Sequence, residues 1–129
     1  MKKRILVVED NSKNLYLVKF ILQKAGYLVI EAVNGKEGYE MAKAELPDMI
    51  LMDMQLPVMN GYEATALIKA DENTRNIPVI ALTAYAMKGD REKTIEAGCD
   101  DYLEKPINPE NFAAVIQNLF IKFTHSGGE

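Results

Sequence analysis

Apolar positions along this chain follow two alternating rhythms. Unbroken runs at Arg4–Val8, Met49–Asp53 and residues 77–83 are too short for helices and read as buried strands. Shorter stretches at Leu28–Ala32 and residues 102–104 complete a set of five. Between them the spacing changes to that of helices. Asn11-Ser12 offers capping chemistry, Leu15, Val18, Ile21, Leu22 and Ala25 follow on one stripe, and Gly26 closes the first helix. After a turn at Asn34-Gly35, residues 37–45 carry Tyr39, Met41 and Ala42 and stop before Pro47. Gly61–Ala70 predicts a third helix with Ala64, Leu67 and Ile68 inward, and residues 87–97 a charged fourth one ended by Gly98. Pro109 starts the last, with Phe112, Val115, Ile116, Leu119 and Phe123 toward the core. Residues 1–123 therefore form one domain, and residues 124–129 a flexible tail. Strands separated by helices demand a mostly parallel sheet covered on both faces, an α/β architecture.

In such a sheet the carboxyl ends of the strands share one edge, where α/β folds place their chemistry. The first strand exits into Glu9-Asp10, the third ends in Asp53, the fourth in Thr83 and the fifth runs into Lys105-Pro106. Three acids, a hydroxyl and an ammonium would then converge. Crowded carboxylates repel, and a hard divalent cation relieves the repulsion. The same set can accept a phosphoryl group, because a carboxylate is a competent nucleophile toward phosphorus. Each residue also has a plainer use: Asp53 as a loop cap, Asp10 as a helix cap, Lys105 as a solvated surface charge.

Four motifs, Val7-Val8-Glu9-Asp10-Asn11, Leu51-Met52-Asp53 with the following Met54-Gln55-Leu56-Pro57-Val58-Met59-Asn60-Gly61, Ile80-Ala81-Leu82-Thr83-Ala84 and Leu103-Glu104-Lys105-Pro106, occur in order and at strand ends. Together they resemble the receiver domains of two-component response regulators, over nearly the whole chain. Ala84-Tyr85-Ala86-Met87-Lys88-Gly89-Asp90 and Glu96-Ala97-Gly98-Cys99 bring it nearest the stand-alone, single-domain DivK type, and receivers fused to hybrid histidine kinases share much of the pattern. The resemblance implies a flavodoxin-like (CheY-like), doubly wound five-stranded parallel sheet of order 2-1-3-4-5 with five helices. It implies that Asp53 is the phospho-acceptor and that the donor is a histidine kinase or a histidine phosphotransfer protein. Mg²⁺, with Mn²⁺ as a substitute, would be held by Glu9, Asp10, Asp53 and the backbone carbonyl of Gln55. Lys105, after a cis bond to Pro106, would pair with Asp53 and then with the phosphoryl group. Thr83 and the Ala84 N–H would donate to phosphoryl oxygens. Thr83 and Tyr102 would form the switch, and Gln55 and Tyr85 would set the phosphoryl lifetime, here a long one. Output would go to a protein target through the face of the fourth helix, fifth strand and fifth helix, from a monomer or a phosphorylation-dependent dimer.

Composition narrows this without changing it. The formal net charge of −4 and the lack of a Lys/Arg cluster argue against a nucleic-acid partner, and no apolar stretch approaches membrane-spanning length. The basic start Met1-Lys2-Lys3-Arg4 is followed by too short an apolar run for a signal peptide. One cysteine, Cys99, fits a reducing cytoplasm. With no effector region after Phe120, the expected output is protein contact rather than catalysis beyond the protein's own phosphorylation and dephosphorylation. Two competitors stand beside this: a Mg²⁺-dependent aspartyl-phosphate hydrolase, which needs an acid where Gln55 stands, and a flavodoxin-like cofactor binder, which Glu9-Asp10 would repel. The sole histidine, His125, lies in the tail and is a poor ligand.

Overall fold

A computed structural model describes residues 2–84 and 88–127. The elements run β1 (Arg4–Val8), α1 (Ser12–Lys24), β2 (Leu28–Ala32), α2 (Gly35–Glu45), β3 (Met49–Asp53), α3 (Gly61–Ala70), β4 (Val79–Thr83), α4 (Lys88–Ala97), β5 (Asp101–Glu104) and α5 (Phe112–Gly127). The strands form one parallel sheet in the order β2-β1-β3-β4-β5. β1, β3 and β4 hold its interior and are buried on both faces, which is why they lack alternation.

Alternation sorts the core into two layers. Ile5, Val7, Met49, Leu51, Ile80 and Leu82 pack with Val18 and Leu22 of α1 and Phe112, Ile116, Leu119 and Phe120 of α5. Leu6, Val8, Ile50, Met52, Val79 and Ala81 pack on the opposite face with Ala42 of α2 and Ala64 and Ile68 of α3. A residue's parity along its strand thus decides which layer it joins.

Several boundaries differ from the sequence expectation, each for a local reason. Asn34 is the N-cap of α2 rather than part of a free turn: its Oδ1 accepts the Glu37 N–H at 2.8 Å, so the helix begins at Gly35. β4 starts only at Val79, because the Ile77 N–H closes a turn on Thr74 O. Pro109 precedes α5: the Asn108 carbonyl accepts from the Asn111 and Phe112 N–H groups, and the first helical residue is Phe112. α5 continues to Gly127, past the expected start of a tail at Thr124, since no breaker intervenes before Gly127-Gly128. On α3 the inward set is Gly61, Ala64, Thr65 and Ile68, while Leu67 is exposed. Thr65 is tolerated inside because its Oγ1 meets the Cys99 thiol at 3.8 Å. No helix among the described residues is long and apolar enough to cross a membrane.

Candidate functional site

Strand register builds the site. Val8 pairs with Met52, so Glu9 and Asp53 come next on neighbouring strands, with the parity of Val7 and Leu51. Lys105 extends the parity of Leu103, and its N–H continues the ladder onto Thr83 O at 2.8 Å. All three side chains therefore emerge toward the α1/α5 layer. The Lys105-Pro106 peptide is cis. Lys105 Nζ lies 3.1 Å from Asp53 Oδ2 and 2.9 Å from Glu9 Oε1. Ligand oxygens of Glu9, Asp10 and Asp53 all lie within 4.8 Å of one another.

Backbone donors hold the acids in place. Asp53 Oδ1 accepts the Gln55 N–H at 3.0 Å, and Glu9 Oε2 accepts the Asn11 N–H at 3.2 Å. The α1 cap belongs to Asn11, whose Oδ1 takes the Asn14 N–H at 3.0 Å. Asp10 is therefore not the cap, and it stands exposed at the mouth while Glu9 and Asp53 are buried.

The electrostatics are uneven. Burial, the largest influence, pushes the Glu9 carboxyl above its ordinary pKa; the Lys105 ammonium draws it back, and the neighbouring Asp53 raises it again. For Lys105, burial alone would favour the neutral amine, but hydrogen bonding and charge from Glu9 and Asp53 outweigh it, and the ammonium is held above its usual range. Glu9 Oε1 pairs with the Lys105 ammonium at 2.9 Å, and no other donor among the described residues reaches it. Three acids whose ligand oxygens lie within 4.8 Å of one another, faced by a single ammonium, form an all-oxygen donor set that fits a hard cation well.

The description "response regulator receiver domain" matches residues 5–117. The chain belongs to that family. This receiver is 43% identical to the polar-differentiation response regulator DivK of Brucella anthropi over 118 residues, which span 92% of this chain and 96% of that protein. Among solved structures it resembles the receiver domain of the Pseudomonas aeruginosa sensor histidine kinase PA1611, described with a magnesium ion coordinated in its active-site cleft (41% identity, TM-score 0.85, covering 95% of this chain and 98% of that one). It also resembles a CheY-like receiver protein of Methanospirillum hungatei (31% identity, TM-score 0.87, covering 98% and 100%). It is thus a response-regulator receiver of two-component signalling, with a CheY-like sheet.

The remaining expected residues divide by location. Thr83 ends β4 on the opposite parity, facing the α2/α3 layer, and is buried. Tyr102 pairs with Ala81, so it shares the Thr83 face of the sheet. It is half-buried, with the Arg91 guanidinium 4.9 Å from its ring centroid. Ala84 is exposed and, with Asn14, Leu17, Lys105, Pro106 and Ile107, lines a cleft of about 410 Å³ beside the acids. Tyr85 lies outside the described residues. One contributor escaped the sequence pattern. A Cβ on Gly61 would overlap the Asp53 carbonyl oxygen and sit 2.7 Å from Met54 Cα, so only glycine lets α3 approach the end of β3 this closely. Its signal was the Asn60-Gly61 pair directly before a helix.

Proposed function

We propose that this receiver accepts a phosphoryl group on Asp53 from a phosphohistidine of a histidine kinase or phosphotransfer protein, or from a small acyl phosphate. A carboxylate oxygen of Asp53 attacks phosphorus. With a phosphohistidine the phosphorus–nitrogen bond breaks and its electron pair stays on the imidazole nitrogen; with a small acyl phosphate the bond from phosphorus to the acyl oxygen breaks and a carboxylate leaves. Either way Asp53 becomes an acyl phosphate. The grouping of a buried Asp53 with Lys105, Glu9 and Asp10 carries this reading. Glu9, Asp10, Asp53 and the Gln55 carbonyl would hold Mg²⁺, or Mn²⁺ in its stead. When bound, the ion would offset the negative charge shared by the acids and the incoming phosphoryl oxygens.

Lys105 supplies the matching cation from the protein and remains with the phosphoryl group after transfer. The Thr83 hydroxyl and Ala84 N–H donate to the other phosphoryl oxygens. Drawing Thr83 toward the site vacates space on its face of the sheet, the face that also carries Tyr102, and the surface of α4, β5 and α5 changes with it. That surface meets the downstream protein, as a monomer or a phosphorylation-dependent dimer. Hydrolysis by water returns carboxylate and inorganic phosphate slowly, since Gln55 is not a base. The chemistry is confined to the protein's own Asp53, without turnover of other phosphate esters.

Incubation with acetyl phosphate and Mg²⁺, followed by intact-mass measurement, tests this. The native protein gains one phosphoryl group; the Asp53→Asn protein and an EDTA-treated sample gain none. Labelling that survives in Asp53→Asn would place the acceptor elsewhere.

A further inference from the structure

The loop between β3 and α3 carries Gln55 and ends at the Gly61 approach, so its shape fixes the position of a metal-ligand carbonyl. Within it, Val58 adopts φ +69°, and the Met59 N–H bonds the Pro57 carbonyl at 2.7 Å. This is the rarer, strained γ-turn, centred on a β-branched residue. Val58 is 80% exposed, so its own side chain does little to hold it there. Strain persists only where the surroundings over-determine it, and two backbone bonds do so. The Gly61 N–H bonds Met54 O at 3.1 Å, closing the loop on itself. The Gly35 N–H, from the first turn of α2, bonds Met59 O at 2.9 Å.

The second bond comes from a different part of the chain and requires glycine. A Cβ at Gly35 would overlap the Met59 carbonyl oxygen and lie 2.8 Å from its carbon and 3.0 Å from Asn60 O. All three are backbone atoms of the loop or of the α3 cap, so any larger side chain moves the loop itself. Asn34 holds the α2 end in place by capping it through Glu37 N–H.

We propose that Gly35 is a positioning residue for the cation site: through its contact with the Met59 carbonyl, the start of α2 clasps the strained β3–α3 loop in the shape that presents Gln55. Gly35 touches neither the cation nor the phosphoryl group, and the proposal rests on the cation-site assignment above.

Titration calorimetry of Mg²⁺ against four folded proteins decides it. The unmodified protein must bind; if it does not, the cation site itself is misassigned and the clasp is not the cause. Gly35→Ala is expected to bind roughly 10-fold or more weakly, the usual penalty for losing support behind a metal ligand. Asn34→Ala, which loosens the α2 end without a clash, should weaken binding in the same direction by less, and it serves if Gly35→Ala does not fold. Gly98→Ala is the control for destabilisation alone. It introduces the same methyl at φ +105°, 2.9 Å from Lys69 Cγ, away from the acids, and should bind Mg²⁺ as the unmodified protein does. Unchanged affinity in both Gly35→Ala and Asn34→Ala, or an equal loss in Gly98→Ala, overturns the clasp.

Discussion

Two lysines, one at each end of the sheet, are shielded almost equally, yet their surroundings differ in kind. Lys69 is 19% exposed and Lys105 17%. Lys69 Nζ donates to Arg75 O at 3.0 Å, Ile77 O at 2.8 Å and Asp100 Oδ2 at 2.8 Å, which uses all three of its protons. Asp100 in turn accepts the Val79 N–H at 2.8 Å. That end ties α3, the start of β4 and the approach to β5 into a closed network. Lys105 faces two carboxylates beside a third acid at the mouth, so one ammonium answers three acids. The closed network stabilises the fold. The open one, on the function proposed above, is arranged for charge that has yet to arrive. Burial does not tell the two ends apart; the number of acids set against each ammonium does.

Replacing Lys105 with Met should separate the two most sharply. Loss of a preorganised charge at a phosphoryl-transfer site costs about 100-fold or more in rate. Acetyl-phosphate labelling, followed by intact mass over time, should fall by that order. A labelling rate near that of the unmodified protein would make Lys105 as structural as Lys69.

The strand ends were legible because parity and length are written in the apolar runs: Asp53 and Glu9 could be placed on one rim from the pattern alone. The clasp was not. Asn34-Gly35 reads as a turn, and nothing local tells that its N–H finds a carbonyl on a loop far along the chain. Lys69 was likewise silent, since an exposed-looking lysine on a helix acquires its three acceptors only when the segment after α3 folds back. Leu67 misled because α3's inward stripe turns toward Thr65, whose hydroxyl is satisfied by a thiol that no spacing rule connects to it. Tyr102 was found through family likeness; its Arg91 neighbour was not.

The closed end should also be chemically inert. Burial pushes the Cys99 thiol up to about 11 from an ordinary 9.0; Thr65 pulls down, Asp100 raises, and Lys69 lowers again. The fold thus favours the protonated thiol. Its contribution to stability is complete below pH 9.0 and is lost as pH climbs through about 11. At pH 8.5, where neither form is mostly thiolate, iodoacetamide should alkylate the folded protein roughly 100-fold more slowly than the urea-unfolded chain. Equal rates would mean that this end opens freely. Lys69→Met probes the same end by equilibrium. It strands Asp100 and two carbonyls, and the urea midpoint should drop by the equivalent of about 1–3 kcal/mol, with Mg²⁺ affinity unchanged.

The smallest effect tests whether the open end stores strain. Val58 holds a left-handed backbone that glycine adopts without penalty, and such a conformation costs a non-glycine residue about 1–3 kcal/mol. Glycine there also enlarges the unfolded ensemble, which takes back about 0.4–1 kcal/mol. Because Val58 is largely exposed, little packing is lost in the exchange. The balance favours Val58→Gly, and urea unfolding should show a gain of about 1 kcal/mol. The corresponding change at the closed end has no such reserve: its left-handed Gly98 already suits its backbone, and Gly98→Ala can only destabilise. A stability gain at Val58 together with a loss at Gly98 would mean that the site's loop is held in shape by its neighbours against its own preference. A loss at both would mean that the γ-turn is relaxed and that the clasp from Gly35 restrains nothing.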